Sequence, residues 1–127
     1  SGRLWPMLKE SSMKNYIIEE LEALEAVDCP CGSTKRAFVT PENKTATLHL
    51  VDISEDAKRH YHKKMTEIYV ILETDGDAYM ELDGEKIPVK PMHTIFIKPG
   101  CRHRAIGKMK ILNMPVPAFD SDDEFFD

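Results

Sequence analysis

The amino-acid sequence predicts an all-β domain, either a sandwich or a small barrel. Three observations predict this fold class. Short runs after residue 32 alternate apolar and polar residues, as half-buried strands do. Turn residues separate these runs at intervals of about 8–12 residues, which is typical of sandwiches and barrels. A chain of 127 residues is also long enough to bury one core without disulfides.

The ends of the chain predict a simple domain organisation. Ser1-Gly2 is typical of the residues that tag cleavage leaves, so we expect residues 1–14 to be a tag scar and an N-terminal extension. Residues 15–127 are predicted to form a single domain, with a barrel core at about 35–114. The acidic tail, 118–127, has the composition of a frayed end.

One short helix is predicted before the strands. Apolar residues recur there at helical spacing, with glutamates between them. Asn15 is a suitable N-cap, and Cys29-Pro30 would end the helix. We expect this amphipathic helix to pack on the outside of the β-domain. The apolar positions are Ile17, Ile18, Leu21, Leu24 and Val27.

Eight or nine short strands are predicted to follow. Asp83-Gly84 between two of them favours a two-residue type I′ hairpin turn. Pro99-Gly100 predicts another tight turn, because proline restricts the backbone and glycine accepts positive φ. The strand-like runs are 36–40, 45–51, 67–73, 77–82, 86–90, 94–97, 102–106 and 109–113.

Charge and hydropathy disfavour two classes of partner. The net charge is −5, with 22 acidic and 17 basic residues, and no long basic run occurs. We therefore expect no nucleic-acid partner. No apolar stretch approaches the length of a transmembrane helix, and the N-terminus lacks a signal-peptide core, so we expect no membrane partner and a cytoplasmic location.

The cysteines do not predict a disulfide framework. They are three in number, Cys29, Cys31 and Cys101, and the first two form a C-x-C rather than a C-x-x-C. We interpret them as thiols in a reducing compartment rather than as a second metal site.

Histidines and one glutamate form the main functional pattern. His60 and His62 are two residues apart, so on a strand they would project from the same face. Glu67 lies at odd separation from both, so the segment 63–66 must bend or bulge if Glu67 is to join them. His103 follows the Pro99-Gly100 turn on a later strand. Three imidazoles and one carboxylate are a ligand set for a divalent transition metal.

These motifs resemble those of the cupin superfamily. The first cupin motif, H-x-H followed by E, is matched by His60, His62 and Glu67, and the second, P-x-G-x-x-H, by residues 98–103, with Lys98 in place of the leading proline. The resemblance covers roughly residues 45–113. It implies a double-stranded β-helix, a jelly-roll barrel, with the metal ligands His60, His62, Glu67 and His103 pointing inward. The cofactor would be one divalent transition metal: Fe, Mn, Ni, Zn or Co.

Four residues are further candidates. Glu67 could act as a base rather than only as a ligand. Tyr69 shares the parity of Glu67 and could be a catalytic acid or hydrogen-bond donor, or simply a buried aromatic residue. Arg36 could contact an anionic substrate. His49 could line the cavity, although an ordinary strand histidine is the alternative.

The resemblance leaves several functions open, because one barrel carries many chemistries. The first is a metal-dependent enzyme, of dioxygenase or isomerase type, acting on a small organic molecule. The second is a non-catalytic module that binds or senses a small molecule through its metal. A structural or storage role is the third. By resemblance to small single-domain cupins, we also expect a homodimer.

Overall fold

The computed structural model describes residues 14–29, 32–54 and 56–127. The predicted tag scar and most of the predicted extension, as well as Cys31, lie outside these residues. The regular secondary structure of the described residues is nearly all β, in nine strands. The strands are β1 (Val27–Cys29), β2 (Gly32–Ala37), β3 (Leu48–Ile53), β4 (Thr66–Thr74), β5 (Tyr79–Leu82), β6 (Glu85–Pro88), β7 (Thr94–Ile97), β8 (His103–Ile106) and β9 (Met109–Val116).

The strands form two antiparallel sheets. The large sheet has the order β1-β2-β3-β9-β4-β7, and the small sheet has the order β6-β5-β8. No strand ladder between the described strands joins the two sheets into a closed barrel. Most contacts of β9 are with β3 and β4, which are distant in sequence, so the fold depends on long-range pairing.

The apolar core lies between the two sheets. Ile71 and Ile111 of the large sheet pack in one cluster with Met80 and Ala105 of the small sheet. Along β9 the inward positions alternate with outward ones, as a strand with one buried face requires. One of these inward positions, Asn113, is polar. Asn113 and the buried His62, Glu67 and His103 lie outside the apolar cluster, and we call their end of the molecule the polar end.

The predicted N-terminal helix is wrong. The described segment contains one 3-10 turn, Leu21–Ala23, and Val27–Cys29 pairs with β2 as a strand. Ile18 is 80% exposed and Ile17 is 47% exposed, so these two apolar residues have no surface against which a helix could pack. A helix of this length is only marginally stable without tertiary packing. Asn15 is not a helix cap, because the helix is absent.

Two predicted turns are confirmed. Asp83 and Gly84 both have positive φ, 49° and 85°, and join the paired residues Leu82 and Glu85, as a type I′ turn does. Gly100 has φ of 92°, and the Cys101 N–H donates to the Lys98 carbonyl at 3.1 Å. None of the helical structure in the described residues is long and apolar enough to cross a membrane.

Candidate metal centre

Four residues converge at the polar end of the molecule: His60, His62, Glu67 and His103. One potential ligand atom from each lies within 4.8 Å of the others. Glu67 Oε1 is 3.0 Å from His62 Nε2 and 3.1 Å from His103 Nε2. Glu67, His62 and His103 are buried, and His60 is half-buried. The cluster could hold one metal ion, with three nitrogen donors and one oxygen donor.

Backbone hydrogen bonds bring the two sequence motifs together. His60 and His103 exchange two main-chain hydrogen bonds, of 2.9 and 3.1 Å, in an isolated antiparallel bridge. The Gly100 N–H donates to the His62 carbonyl at 2.8 Å. The positive φ of Gly100 turns its N–H toward the first motif while Pro99 stiffens the turn. The turn before β8 therefore fixes His103 beside the other histidines.

Asp123, in the acidic tail, holds the bend that places Glu67 beside the histidines. Its carboxylate accepts the backbone N–H groups of Lys63, Lys64 and Met65 at 2.8, 3.0 and 2.8 Å. The strand therefore cannot run straight from His62 into β4. Asp123 is 5% exposed, although the composition of the tail is that of a frayed end. The bend itself was required by strand parity and is confirmed.

Each histidine of the cluster is anchored through Nδ1. His60, His62 and His103 place Nδ1 at 2.9, 2.5 and 2.9 Å from the carbonyl oxygens of Lys58, Asp123 and Cys101. A carbonyl oxygen only accepts, so each Nδ1 must carry the proton. In each neutral ring, the Nε2 atom then carries an unshared lone pair. This arrangement is typical of histidines that bind metals.

The anchored rings create a conflict that a cation would resolve. Nε2 of His62 and Nε2 of His103 both face Glu67 Oε1, which is itself an acceptor. Three lone-pair atoms at about 3 Å repel unless a proton or a metal ion lies between them. The donor set and its orientation therefore fit a divalent transition metal.

Electrostatics keep Glu67 ionised. Burial would raise the pKa of the carboxyl, but hydrogen bonds from His103 and then His62, which a proton on each Nε2 would donate, outweigh burial and hold the pKa far below its usual range. Asn113 Nδ2 also donates to Glu67 Oε2 at 2.8 Å. Burial and then the neighbouring His103 lower the pKa of His60, which favours its neutral, ligating form.

The other candidate residues lie on the same inner face. The Tyr69 ring meets the His103 ring edge-on, with centroids 6.3 Å apart. His49 is 4% exposed, and its Nε2 lies 2.8 Å from Thr47 Oγ1. Burial and then the Arg36 charge lower the pKa of His49 to about 4. Arg36 is the cross-strand partner of His49, so both face the interior. None of these three is within the four-residue cluster.

Asn113 and Asp123 were missed in the sequence. Asn113 could have been found, because it occupies the inward parity of β9 shared by Met109 and Ile111. A polar side chain in such a position indicates a hydrogen-bonded role. Asp123 gave no comparable signal, since it is one acidic residue among several in the tail.

An open cavity of about 720 Å³ lies away from the cluster. It is at the opposite end of the large sheet, near Asp52, Glu73 and Lys110. None of the four clustered residues lines it. We assign the candidate site to the cluster, because oriented donor atoms identify a metal site better than the size of a cavity does.

Solved structures share this fold. A protein from Planctomyces limnophilus is 38% identical, with a TM-score of 0.84, over 87% of this chain and 96% of that one. Pac13 from Streptomyces, a nucleoside dehydratase, is 17% identical, with a TM-score of 0.75, over 87% and 90%. Ectoine synthase from P. lautus is 17% identical, with a TM-score of 0.70, over 87% and 88%. The fold is therefore that of the cupin-type barrels.

Sequence identity relates the chain to two of the proteins compared. The chain belongs to the same protein family as the Planctomyces limnophilus protein. It is also 37% identical over 78 residues to an uncharacterised protein from Methanocaldococcus jannaschii. That match covers 58% of this chain, and the chain spans 61% of the length of this curated relative. No protein-family model matches the chain.

Proposed function

We propose that this chain is a metal-dependent enzyme that acts on a small organic molecule inside a double-stranded β-helix. His60, His62, Glu67 and His103 would bind one divalent transition metal. The observation that carries the proposal is the anchoring of all three Nδ1 atoms on carbonyl oxygens. This anchoring directs Nε2 of His62 and His103 toward Glu67 Oε1, and a ligand atom of His60 lies within 4.8 Å of the others. Fe, Mn, Ni, Zn and Co all suit such a donor set.

Two reaction types fit the proposal. A bound metal would supply either Lewis-acid polarisation of a substrate oxygen or the redox chemistry of an oxygenase. An isomerase would use the first and a dioxygenase the second. The chain would contribute a buried polar cluster in which Glu67 stays ionised and Tyr69 presents its side chain beside His103. The cupin-type fold of Pac13 and ectoine synthase supports an enzymatic role.

A non-catalytic binding or sensing module is the alternative. Its support is the engagement of Glu67 by His62, His103 and Asn113, which favours a ligand role for this carboxylate over a role as a free base. A dedicated base would then have to come from elsewhere on the inner face.

Elemental analysis of protein purified without chelator tests metal binding. We expect about one transition-metal ion per chain and a higher melting temperature when metal is added back to stripped protein. His60→Ala and His103→Ala should lose both effects. His93→Ala is the matched control, because His93 is exposed and outside the cluster. Absence of metal in the wild type, with no thermal response to added metal, would contradict the proposal.

Two assays then distinguish a dioxygenase, an isomerase and a non-catalytic binding module. Oxygen consumption with a panel of small acids and diols would identify a dioxygenase. Exchange of substrate hydrogen with deuterated water, followed by NMR, would identify an isomerase. Binding of panel members by calorimetry without turnover in either assay would support the binding module.

We also propose a homodimer. Several large apolar side chains are exposed on the described chain, among them Val39, Met92 and Phe96. Association would remove such surface from water. Light scattering at micromolar concentration should give twice the chain mass, and a monomer would contradict the proposal.

A further inference from the structure

A row of polar residues crosses the inner face of the large sheet. Arg36 on β2 pairs with His49 on β3, His49 pairs with Asn113 on β9, and Asn113 pairs with Tyr69 on β4. Direct cross-strand partners project from the same face of a sheet. The row therefore begins beside the candidate metal centre at Tyr69 on β4 and ends three strands away at Arg36 on β2.

Two atoms of this row are buried without a hydrogen-bond partner: Arg36 Nε and Asn113 Oδ1. Asn113 is 8% exposed, and its other amide atom, Nδ2, already binds Glu67. Buried polar atoms are nearly always paired in folded proteins. A donor and an acceptor that lack partners on one inner face indicate a place for a polar ligand.

Arg36 also lacks a counter-ion. In the ranges 14–29, 32–54 and 56–127, no carboxylate lies in ion-pair distance of its guanidinium. The guanidinium stacks over the face of the Phe119 ring, with Arg36 Cζ 4.9 Å from the ring centroid. A half-buried guanidinium with a free Nε edge is suited to a carboxylate, since that edge can donate two parallel hydrogen bonds.

We propose that Arg36, with the neutral His49 beside it, binds the carboxylate of a small organic acid whose other end reaches the cluster of His60, His62, Glu67 and His103. This inference rests on the proposed function and names its substrate class. Adjacent strands are about 4.8 Å apart, so Arg36 lies about 10 Å from Asn113 along the sheet, and the long Arg36 side chain shortens the gap to be spanned. An acid with about three to six carbons would span the distance.

Carboxylate fits better than phosphate. The row offers one guanidinium as its cation, and His49 and Asn113 are neutral hydrogen-bonding groups beside it. A phosphate would bring more negative charge than one arginine balances. The planar fork of Arg36 also matches the planar geometry of a carboxylate.

Calorimetry of metal-loaded protein with the dicarboxylates from malonate to adipate tests the inference. We expect at least one of these acids to bind and its neutral diamide not to bind. Arg36→Gln should weaken that binding at least tenfold, and Arg36→Lys should weaken it less. Lys35→Gln is the matched control: it makes the same charge change one residue away, on the opposite face of β2, and should leave binding unchanged.

Each other outcome is decisive. Equal binding by wild type and Arg36→Gln, or no binding by any of the acids, would overturn the inference. Tighter binding of inorganic phosphate than of every dicarboxylate would overturn the assignment to carboxylates. Elemental analysis of the same samples reports the proposed function separately. If the wild type holds no metal but still binds a dicarboxylate through Arg36, the anion site stands and the metal enzyme does not.

Discussion

The two ends of the described chain, residues 14–26 and 118–127, are both short and rich in acidic residues, but they relate differently to the rest of the molecule. The N-terminal segment lies along β2, where the Phe38 N–H donates to Glu19 and Lys35 donates to the Glu22 carbonyl. The C-terminal segment reaches the candidate metal centre. Asp123 accepts three backbone N–H groups, and its own carbonyl accepts the proton of His62 Nδ1.

Composition is therefore a poor guide to the role of a terminus. An apolar helical pattern gains nothing unless a surface exists to cover it, and Ile18 is left exposed. An acidic tail becomes part of the folded structure when its carboxylates can accept hydrogen bonds from backbone N–H groups and pair with cations. Here Phe125 pairs with Tyr61, and Asp127 binds Arg59 and Arg102.

Truncation after Ala118 should have the largest effect. It removes the acceptor of one buried and two half-buried N–H groups and the carbonyl that orients His62. Each unpaired buried group costs about 1–3 kcal/mol, so we expect the free energy of unfolding to fall by about 3–6 kcal/mol. Loss of the contact to His62 should weaken metal binding about 10- to 100-fold. Urea denaturation and competition with a chromophoric chelator measure these effects. Wild-type values for both would show that the tail is not structural.

Asp123→Ala should reproduce much of that loss with one substitution. The bend at residues 63–65 loses its carboxylate, while the rest of the tail remains, so we expect a loss of about 2–4 kcal/mol. Asp122→Ala is the control, because Asp122 is exposed and its side chain makes no described hydrogen bond to the bend. If both variants lose the same stability, general tail charge rather than the Asp123 contacts holds the bend.

Arg102→Gln should have a smaller effect. It breaks the pair with Asp127, whose N···O distance is 2.8 Å, and the contact of the guanidinium with the Tyr61 ring at 3.5 Å. Exposed contacts of this kind contribute little to stability, so we expect only a small fall in the melting temperature. Part of the loss should be salt-dependent, because exposed ion pairs are screened. Thermal melts of wild type and variant in low and high salt test this, and a difference that does not change with salt would argue against the ion pair.

Ile18→Ser should have the smallest effect. The side chain is exposed in the described structure, so we expect the free energy of unfolding to change by no more than about 0.5 kcal/mol. Ile71→Ser is the opposite control, since Ile71 is fully buried and its replacement should be strongly destabilising. A loss above about 2 kcal/mol for Ile18→Ser would show that the N-terminal segment packs in solution.

Much of the fold was predictable because its signals are local. The strand runs follow alternation over a few residues, and the turn at Asp83-Gly84 follows from the positive φ that its geometry demands. The four clustered residues were found through motif spacing. The parity of Glu67 even required a bend before β4.

What supports those residues was not predictable, because it depends on long-range contacts. Asp123 is 58 to 60 residues from the N–H groups that it accepts. Asn113 binds a carboxylate 46 residues away. The apolar periodicity of the N-terminal segment predicted a helix wrongly, because local periodicity does not reveal whether a neighbouring surface is present for the helix to pack against. The unpartnered Arg36 Nε, likewise, is visible only after three strands are paired.

The most direct test of the central claim is a crystal structure of metal-loaded protein with anomalous diffraction at the metal edge. We expect one anomalous peak at about 2.0–2.3 Å from Nε2 of His60, His62 and His103 and from a Glu67 oxygen. Asp123 should still accept the three N–H groups in that structure. An anomalous peak elsewhere, or none at the cluster in protein shown to contain metal, would contradict the claim that these four residues form the metal centre.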